Sequence, residues 1–395
     1  MIQYNFDKII DRTHTNAAKH SNFERKDRKS QYIPLSVADM DLAVAPVIEE
    51  AMVEVSRRGI YGYTSLDADS RYRDSFVSWL SRRFDLAIEN ETIVFSDGTL
   101  ELVKSAIYAF TNPGDGIIIQ RPVYGSFTKI IENQCNRHVV DARLISDENN
   151  YYSIDFLALE EACKQARNKI FLLCSPHNPV GRVWSVEELQ QILEICRAND
   201  VLLISDEVHA DLIRQERKHT PILSLAQESD KIIQIMAISK AFNCAGLSCA
   251  NGIIPNRRLR QQVQAVHGQR MASPFALEAQ VAAYSEEGEK WLNALNHYLD
   301  GTIDLVIRYF QEELPSLRIN KPEGTYILWM DFKDLGLSPE EIHEAIYEDA
   351  KVILQDGTVH DPDEGAYFQR MCIPTPRPLV KEACQRIVTA IKKKI

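Results

Sequence analysis

Several ionisable residues follow short apolar runs, and their side-chain types suit one reactive site. Lys240 follows the run Ile232–Ser239, and Asp206 follows Val201–Ser205. A lysine at the end of a buried strand is partly desolvated, which lowers its pKa and makes its amine nucleophilic toward a carbonyl. A surface lysine just past a strand is the alternative interpretation of Lys240.

Asp206 needs a cationic or hydrogen-bonding partner if its carboxylate ends a buried strand. An aspartate that only caps a turn is an alternative. Because Glu207, His209 and Asp211 lie close by in the sequence, a metal site is a second alternative. The further spaced ligands of a zinc or two-metal motif do not follow, so we predict no metal.

The segment Asp97-Gly98-Thr99 lies between a predicted strand and a predicted helix. Free backbone N–H groups at a helix start, with a hydroxyl, suit a phosphate, although an ordinary N-cap is the alternative. Neither GxxxxGK[ST] nor GxGxxG occurs, which disfavours a nucleoside triphosphate or a dinucleotide. An anion cradle, an aspartate and a lysine together are what pyridoxal phosphate requires. The lysine forms the Schiff base, and the aspartate keeps the pyridine nitrogen protonated.

The elements that must position these residues follow from apolar runs that alternate with amphipathic stretches over about residues 46 to 285. Continuous apolar strands joined by helices predict an α/β fold with a mostly parallel sheet covered on both faces. Ligands bind beyond the carboxyl ends of such strands, where Tyr124, Asn178 and His209 also lie. The runs are Thr92–Phe95, Gly116–Gln120, Lys169–Ser175, Val201–Ser205, Ile232–Ser239 and Ala250–Ile254.

Helix signals and a change of pattern divide the chain. Thr99–Phe110 has a helical pattern, and Ser185 with Glu188 forms a capping box before another. Beyond about residue 285 the sequence predicts a long helix to Leu314 and a smaller α+β unit. Its elements are a strand at Thr325–Phe332, a capping box at Ser338-Pro339-Glu340-Glu341, a strand near Phe368–Ile373 and a basic helix. We therefore predict a large cofactor-binding domain at 46–285, a small domain at 286–395, and an N-terminal segment 1–45 that packs with the small domain.

Composition excludes several partners. The chain of 395 residues has 45 basic and 56 acidic residues and a net charge of −11, which argues against nucleic acid or an anionic membrane as the main partner. No apolar run is long enough to span a bilayer, and the N-terminus lacks a signal-peptide core. The eight cysteines form no Cys-x-x-Cys pair. We expect a cytoplasmic protein that acts on a small molecule.

Six motifs carry a resemblance to a known family. The chain resembles the fold-type I pyridoxal-phosphate enzymes of the class I/II aminotransferase superfamily, and most closely the MalY/PatB-type branch of cystathionine β-lyases. The motifs span residues 37 to 377 in the family's order. They are Val37-Ala-Asp-Met-Asp41, Tyr61-Gly-Tyr-Thr64, Ser175-Pro-His-Asn-Pro-Val-Gly-Arg-Val-Trp184, Ser205-Asp-Glu-Val-His-Ala-Asp-Leu212, Ser239-Lys-Ala-Phe-Asn-Cys-Ala-Gly-Leu247 and Gly324-Thr-Tyr-Ile-Leu-Trp-Met-Asp331.

The resemblance implies roles around the cofactor ring. Lys240 would be the Schiff-base lysine, and Asp206 would pair with the pyridinium. Asn178 would donate toward the ring's phenolate oxygen, with His209 near that oxygen. Tyr124 would stack on the ring face. Asn178 and Tyr124 would also contact the substrate.

The resemblance implies a second group of contacts to the phosphate and to the substrate. Gly98, Thr99 and Ser239 would hold the phosphate. Tyr61 would reach the phosphate of the neighbouring subunit, which implies a homodimer. Arg370 would bind the substrate α-carboxylate bidentately, a task for which lysine is a poor substitute.

Four positions depart from the family pattern. Family aminotransferases often carry an arginine eight residues after the lysine, where this chain has Ser248, as in the lyase branch. The lyases commonly have a second tyrosine where Gly125 follows Tyr124. The usual Arg-x-Asn reads Arg370-Met-Cys372, and the loop before it reads Asp356-Gly-Thr-Val-His-Asp361. The last three departures lie on the substrate side of the predicted site.

The implied activity is a carbon–sulfur β-lyase that releases pyruvate, ammonia and a thiol from L-cystathionine, L-cysteine or a related β-thio amino acid. An aminotransferase on the same scaffold is one alternative, and it would require a 2-oxo acid acceptor. A pyridoxal-phosphate-binding regulatory protein with little turnover is another. Fold resemblance alone does not decide among the three.

Overall fold

The computed structural model describes residues 4–12, 14–20 and 32–395, and its strands and helices are numbered here in chain order. The strands are β1 (Ile33–Pro34), β2 (Ile93–Ser96), β3 (Gly116–Ile119), β4 (His138–Asp141), β5 (Ile145–Ser146), β6 (Tyr152–Ser153), β7 (Asn168–Cys174), β8 (Leu202–Asp206), β9 (Ile232–Met236), β10 (Ala250–Ile253), β11 (Arg318–Ile319), β12 (Ile327–Asp331), β13 (Val352–Ile353), β14 (Gln355–Asp356) and β15 (Phe368–Cys372). The helices are α1 (Pro46–Arg58), α2 (Arg71–Phe84), α3 (Thr99–Phe110), α4 (Ser126–Thr128), α5 (Phe156–Lys164), α6 (Val186–Ala198), α7 (Ile238–Ala241), α8 (Arg257–His267), α9 (Pro274–Ala283), α10 (Glu286–Glu313), α11 (Pro339–His343) and α12 (Arg377–Lys392).

A seven-stranded sheet has the spatial order β2-β10-β9-β8-β7-β3-β4. The strands from β9 to β4 pair in parallel, whereas β10 is antiparallel to both of its neighbours. The prediction of a mostly parallel α/β sheet is therefore confirmed. Every strand of this sheet except β10 ends at the same edge.

Both faces of the seven-stranded sheet are covered by helices, which explains why its strands are apolar without alternation. In β8, Leu202 and Ile204 belong to the core that includes α3 and α8. Leu203 points to the opposite face and belongs to the core that includes α5 and α6. Because successive side chains of a strand alternate between faces, a doubly covered strand is apolar along most of its length. In β8 only the last two residues, Ser205 and Asp206, are polar.

A four-stranded antiparallel sheet of order β11-β12-β15-β14 forms in the last part of the chain. Separately, β1 pairs in parallel with β13, which connects residues 33–34 to residues 352–353. The domain boundaries near residues 45 and 285 stay predictions, and part of the N-terminal segment, including 21–31, lies outside the described residues.

The predicted run Ile232–Ser239 divides into two elements. The strand β9 ends at Met236, and the one-turn helix α7 carries both Ser239 and Lys240. Ile238 is fully buried inside α7, so its apolar side chain reports burial and not strand conformation. The capping boxes at Ser185 and Ser338 are both present, as predicted. Across the described ranges, no helix is long and apolar enough to cross a membrane.

Candidate active site

Most of the predicted site residues lie at the edge where the parallel strands end. Each lies in the loop or at the helix just beyond its strand, apart from Asp206, which is the last residue of β8. Gly98 and Thr99 come after β2, Tyr124 after β3, Asn178 after β7, His209 after β8, and Ser239 and Lys240 after β9.

Lys240 is largely buried, and its Nζ atom donates a hydrogen bond to the carbonyl oxygen of Ala38 at 3.0 Å. Burial lowers the pKa of this amine. The thiol of Cys372 and the carboxylate of Asp206 act in the opposite direction, whereas the positive charge of Arg370 lowers the pKa further. The lowered pKa increases the fraction of neutral, nucleophilic amine at a given pH.

Asp206 and His209 face the charge of Lys240 from the end of β8. Burial raises the pKa of Asp206 to about 7, and its carboxylate accepts a hydrogen bond from the Val208 amide at 3.3 Å. Asp206 thus caps a turn and also interacts with Lys240, so the two interpretations of its position are compatible. Burial lowers the pKa of His209, whose Nδ1 atom is buried without a hydrogen-bond partner.

The other acidic residues near Asp206 point to different partners. Glu207 accepts hydrogen bonds from Ser205 and from the Ile222 amide, and it contacts His219 Nε2 at 2.9 Å. Asp211 accepts a hydrogen bond from the indole of Trp79. In the described part of the chain, no group of three or more histidines, cysteines and acidic residues is arranged to hold a metal ion.

Arg370 and Asn178 meet in the interior of the site. The Nη1 atom of Arg370 donates to Asn178 Oδ1 at 3.4 Å, and Nη2 donates to the Ser36 carbonyl at 2.7 Å. The Nε atom of Arg370 is buried without a hydrogen-bond partner. A buried guanidinium with an unsatisfied donor favours a carboxylate as its further partner.

Glu323 connects the loop that carries Asn178 to the segment before β12. Its carboxylate accepts hydrogen bonds from Arg182 Nε at 3.1 Å and from the Val183 amide at 2.9 Å. The backbone amides of Glu323 and Gly324 both donate to the carbonyl of Gly181 at 2.9 Å. These contacts fix the Asn178 loop against the chain that continues into β12.

The turn at 357–361 packs directly against Gly125, the residue after Tyr124. A Cβ atom placed at Gly125 would lie 2.1 Å from the Val359 carbonyl oxygen. His360 contacts the Val123 carbonyl through Nδ1 at 3.0 Å, and the Val123 amide donates to the His360 carbonyl. Val359 therefore fills the space into which a side chain at position 125 would project.

The predicted phosphate contacts lie on two helix starts. Gly98 precedes α3, Thr99 is its first residue, and Ser239 lies beside Lys240 on α7. The N-terminus of α3 carries the positive end of the helix dipole. Asp97, which comes just before, forms an ion pair with Arg270 at 3.2 Å.

Tyr61 is not brought to the Lys240 cluster of its own chain by any described contact. It lies just beyond α1 with 57% of its surface exposed. Its hydroxyl donates to the Ser56 carbonyl, and its ring lies 5.6 Å from the ring of Phe275. The neighbouring Tyr63 is 94% exposed.

Three hydrogen bonds near Lys240 and Arg370 involve residues that the sequence does not predict as site residues. The carbonyl of Ala38 accepts from both Lys240 and the hydroxyl of Tyr326, each at 3.0 Å. Ser36 supplies the carbonyl that binds Arg370. The motifs at 37–41 and 324–331 contain Ala38 and Tyr326, but a backbone carbonyl leaves no signature in the residue type.

Known proteins match the chain over nearly its whole length. The family model for aminotransferase class I and II matches residues 30–387. Cystathionine beta-lyase PatB of Bacillus subtilis is 34% identical over 98% of this chain and 100% of its own.

Solved structures match as closely. The PLP-bound putative aminotransferase from Clostridium difficile 630 is 37% identical with a TM-score of 0.93, covering 98% of this chain and 100% of its own. The PLP-bound C-S lyase from Staphylococcus hominis is 34% identical with a TM-score of 0.91, covering 99% and 100%. The sheet order, the strand-end residues and these matches agree, and the chain belongs to the aminotransferase class I and II family.

Proposed function

We propose that the protein is a pyridoxal-phosphate-dependent carbon–sulfur β-lyase that acts on L-cystathionine, L-cysteine or a related β-thio amino acid. The observation that carries the proposal is the cluster of Lys240, Asp206 and Arg370. Asp206 and Arg370 are buried, and both charges act on the partly buried Lys240. The names of PatB and of the Staphylococcus hominis lyase support the reaction type.

The residues of the site fit pyridoxal phosphate. Asp206 supplies a buried carboxyl group for a pyridine nitrogen, and Lys240 supplies an amine of lowered pKa for the aldehyde. The unpartnered Nδ1 atom of His209 is a further polar group on the same side. Gly98, Thr99 and Ser239 would hold the phosphate at the starts of α3 and α7. Tyr124 would cover one face of the ring.

When bound, pyridoxal phosphate supplies an electron-withdrawing ring that stabilises negative charge at the substrate Cα. Arg370 and Asn178 would bind the α-carboxylate and thereby orient the Cα–H bond. The amine of Lys240 would remove the Cα proton, while Ala38 holds that amine in reach. Loss of the proton and of the Cβ thiolate, which together make up the released thiol, would give aminoacrylate, and its hydrolysis would release pyruvate and ammonia.

Two other activities fit the same residues. An aminotransferase would return a proton to the cofactor, and the name of the Clostridium difficile protein favours this alternative. A regulatory protein would bind cofactor and a partner with little turnover. Pyruvate release from a panel of β-substituted amino acids, measured without a 2-oxo acid, separates them. Release without an acceptor supports the lyase, and dependence on the acceptor rejects it.

The cofactor assignment has its own test. Borohydride reduction of the protein loaded with pyridoxal phosphate is expected to fix the cofactor to the peptide that contains Lys240. Label on another lysine, or a colourless protein after loading, would reject the assignment.

We also propose a homodimer in which Tyr61 of one subunit reaches the phosphate of the other. The exposed side chains of Ile60, Tyr61 and Tyr63 support an interface at this segment, because buried contact would remove apolar surface from water.

A cytoplasmic location stays a prediction, which cell fractionation tests.

A further inference from the structure

A cluster of two cations and two carboxylates lies near the N-terminus, with Lys19 fully buried and the other three side chains partly buried. Lys19 is 0% exposed, and its Nζ atom lies 2.9 Å from Asp41 and 3.3 Å from Asp39. Arg12 binds the same two carboxylates at 2.8 Å for Asp39 and 2.6 Å for Asp41. The four formal charges sum to zero. A fully buried ammonium would be costly if it lost its carboxylate partners, so Lys19 holds Asp39 and Asp41 in place.

The cluster fixes the turn Ala38–Asp41 between the N-terminus and the chain after Lys240. Arg12 donates to the Met40 carbonyl at 3.0 Å. On the other side, the Asn243 side chain accepts from the Met40 amide and donates to the Met40 and Leu42 carbonyls, all within 3.1 Å. Asn243 follows Lys240 by three residues. The turn is therefore attached directly to the segment that carries the lysine.

The turn presents one backbone acceptor to the site. The Ala38 carbonyl accepts from Lys240 Nζ and from the Tyr326 hydroxyl, both at 3.0 Å. Asp39, the next residue, adds a negative charge that favours the protonated form of Lys240. Lys19 and Arg12 therefore act on Lys240 in two ways, because they hold the acceptor in place and offset the charge of Asp39.

We propose that Lys19 and Arg12 are positioning residues for Lys240, acting through the turn Ala38–Asp41. The inference rests on the proposed function, in which the free amine of Lys240 moves the substrate proton. It assigns the N-terminal segment a role in setting the place and the charge of that amine.

The other charged and titratable groups that face Lys240 come from three elements. None of them belongs to the N-terminal cluster, so substitutions in the cluster leave the residue types of these groups unchanged. They are Asp206 and His209 at the end of β8, Arg370 and Cys372 on β15, and Tyr326 before β12.

The test measures the reactivity of Lys240 in the cofactor-free full chain. Acetic anhydride labels neutral amines, and mass spectrometry quantifies the Lys240 peptide at a fixed pH below the pKa of this amine. Lys19→Met leaves the cluster with an extra negative charge, so labelling is expected to slow by about threefold. Asp39→Asn removes a negative charge, so labelling is expected to speed up by a similar factor. The double variant Lys19→Met/Asp39→Asn should return close to wild type.

The two single variants are expected to change the labelling rate of Lys240 in opposite directions. A general loosening of the fold would change both rates in the same direction. Lys290→Met is the matched control, because Lys290 forms an exposed ion pair with Glu287. In this variant Lys240 should be labelled at the wild-type rate. If Lys19→Met does not fold, Arg12→Gln tests the same sign. Changes in the same direction for Lys19→Met and Asp39→Asn, or no change beyond the control, would overturn the proposal. The labelling needs no cofactor and no turnover, so it is independent of the outcome of the lyase assay.

Discussion

At the scale of single residues, burial moves the groups around Lys240 toward their neutral forms. It lowers the pKa of Lys240 and of His209, and it raises the pKa of Asp206 to about 7. The direction follows from one cause, because a poorly solvated interior disfavours every isolated charge. A neutral amine next to a buried carboxyl group is the state in which a lysine can attack an aldehyde or accept a proton.

We predict that Asp206→Asn retains some cofactor but loses turnover by at least about tenfold, or roughly 1.4 kcal/mol in the barrier. An amide cannot keep a pyridine nitrogen protonated, so the electron-withdrawing power of the ring falls. Steady-state kinetics with saturating cofactor measures the effect. Turnover within about twofold of wild type would show that Asp206 has another role.

The same variant has a signature in the pH dependence of stability. The folded-state pKa of Asp206 lies above the ordinary value of 3.8, at about 7. The folded protein therefore holds the proton of Asp206 more tightly than the unfolded chain does. The stability that depends on the neutral carboxyl group is fully present below pH 4 and is lost as the pH rises through about 7. Relative to wild type, cofactor-free Asp206→Asn should gain stability between pH 4 and pH 8, by up to roughly 4 kcal/mol. Denaturant unfolding at both pH values checks the sign, and a relative loss at pH 8 contradicts it.

For Arg370, we predict that replacement by lysine raises KM at least about tenfold and leaves cofactor binding nearly unchanged. An ammonium is a point charge and replaces a planar fork, so a carboxylate loses one of two hydrogen bonds. Substrate titrations and cofactor titrations of the variant separate the two effects. An unchanged KM would place the carboxylate site elsewhere, and a parallel loss of cofactor would assign Arg370 to the phosphate side.

The side chains of the site could be predicted better than its backbone contacts. Lys240, Asp206 and Asn178 are polar residues just after buried strands, and the rule for doubly wound sheets places such residues together. Ala38 contributes a carbonyl oxygen, which every residue possesses, so no residue type marks it. Cys372 acts on the charge of Lys240 from β15, which belongs to the four-stranded sheet and to a distant part of the sequence.

At the scale of elements, apolar runs locate strands well and their ends less well. The helix Thr99–Phe110 was predicted with the bounds that the structure has, and both capping boxes formed. The run Ile232–Ser239 extends three residues beyond β9 and into the first two residues of α7, because a buried turn is as apolar as a strand. α1 and α2 were not predicted, although the buried residues of α2 recur with helical spacing at Tyr72, Phe76, Trp79, Leu80 and Phe84.

The packing of the turn 357–361 on Gly125 leads to an element-scale prediction. Gly125→Ala should destabilise the protein by roughly 1–3 kcal/mol, because its Cβ would meet the Val359 carbonyl, which is backbone. Displacement of this turn should also move Tyr124 and therefore raise KM. Thermal unfolding and kinetics of the variant are the measurements.

Gly246→Ala is the matched control, since no atom lies within 4 Å of a Cβ at Gly246. It should leave both stability and KM close to wild type. Equal effects of the two substitutions would contradict the packing argument.

At the scale of the whole molecule, we predict that each active site is shared between two subunits. Mixing subunits that carry Tyr61→Phe with subunits that carry Lys240→Ala should restore activity, because one site of each hybrid has both residues intact. Random reassortment makes about half of the dimers hybrid, so about a quarter of all sites should be intact.

The mixing experiment requires that Tyr61→Phe alone loses substantial activity, and Tyr61→Ala replaces it if the loss is small. If Tyr61 served its own subunit, every site would carry one defect. Activity no greater than the average of the two separate mutants would therefore refute the shared site.

The central claim is that this chain breaks a carbon–sulfur bond with Lys240 as the proton-transfer base. The most direct measurement is the product balance from L-cystathionine, with the protein loaded with pyridoxal phosphate and no 2-oxo acid present. We predict pyruvate, ammonia and a thiol in equal amounts from the wild-type protein, and none above background from Lys240→Ala. Product formation that requires a 2-oxo acid, or that persists in Lys240→Ala, would contradict it.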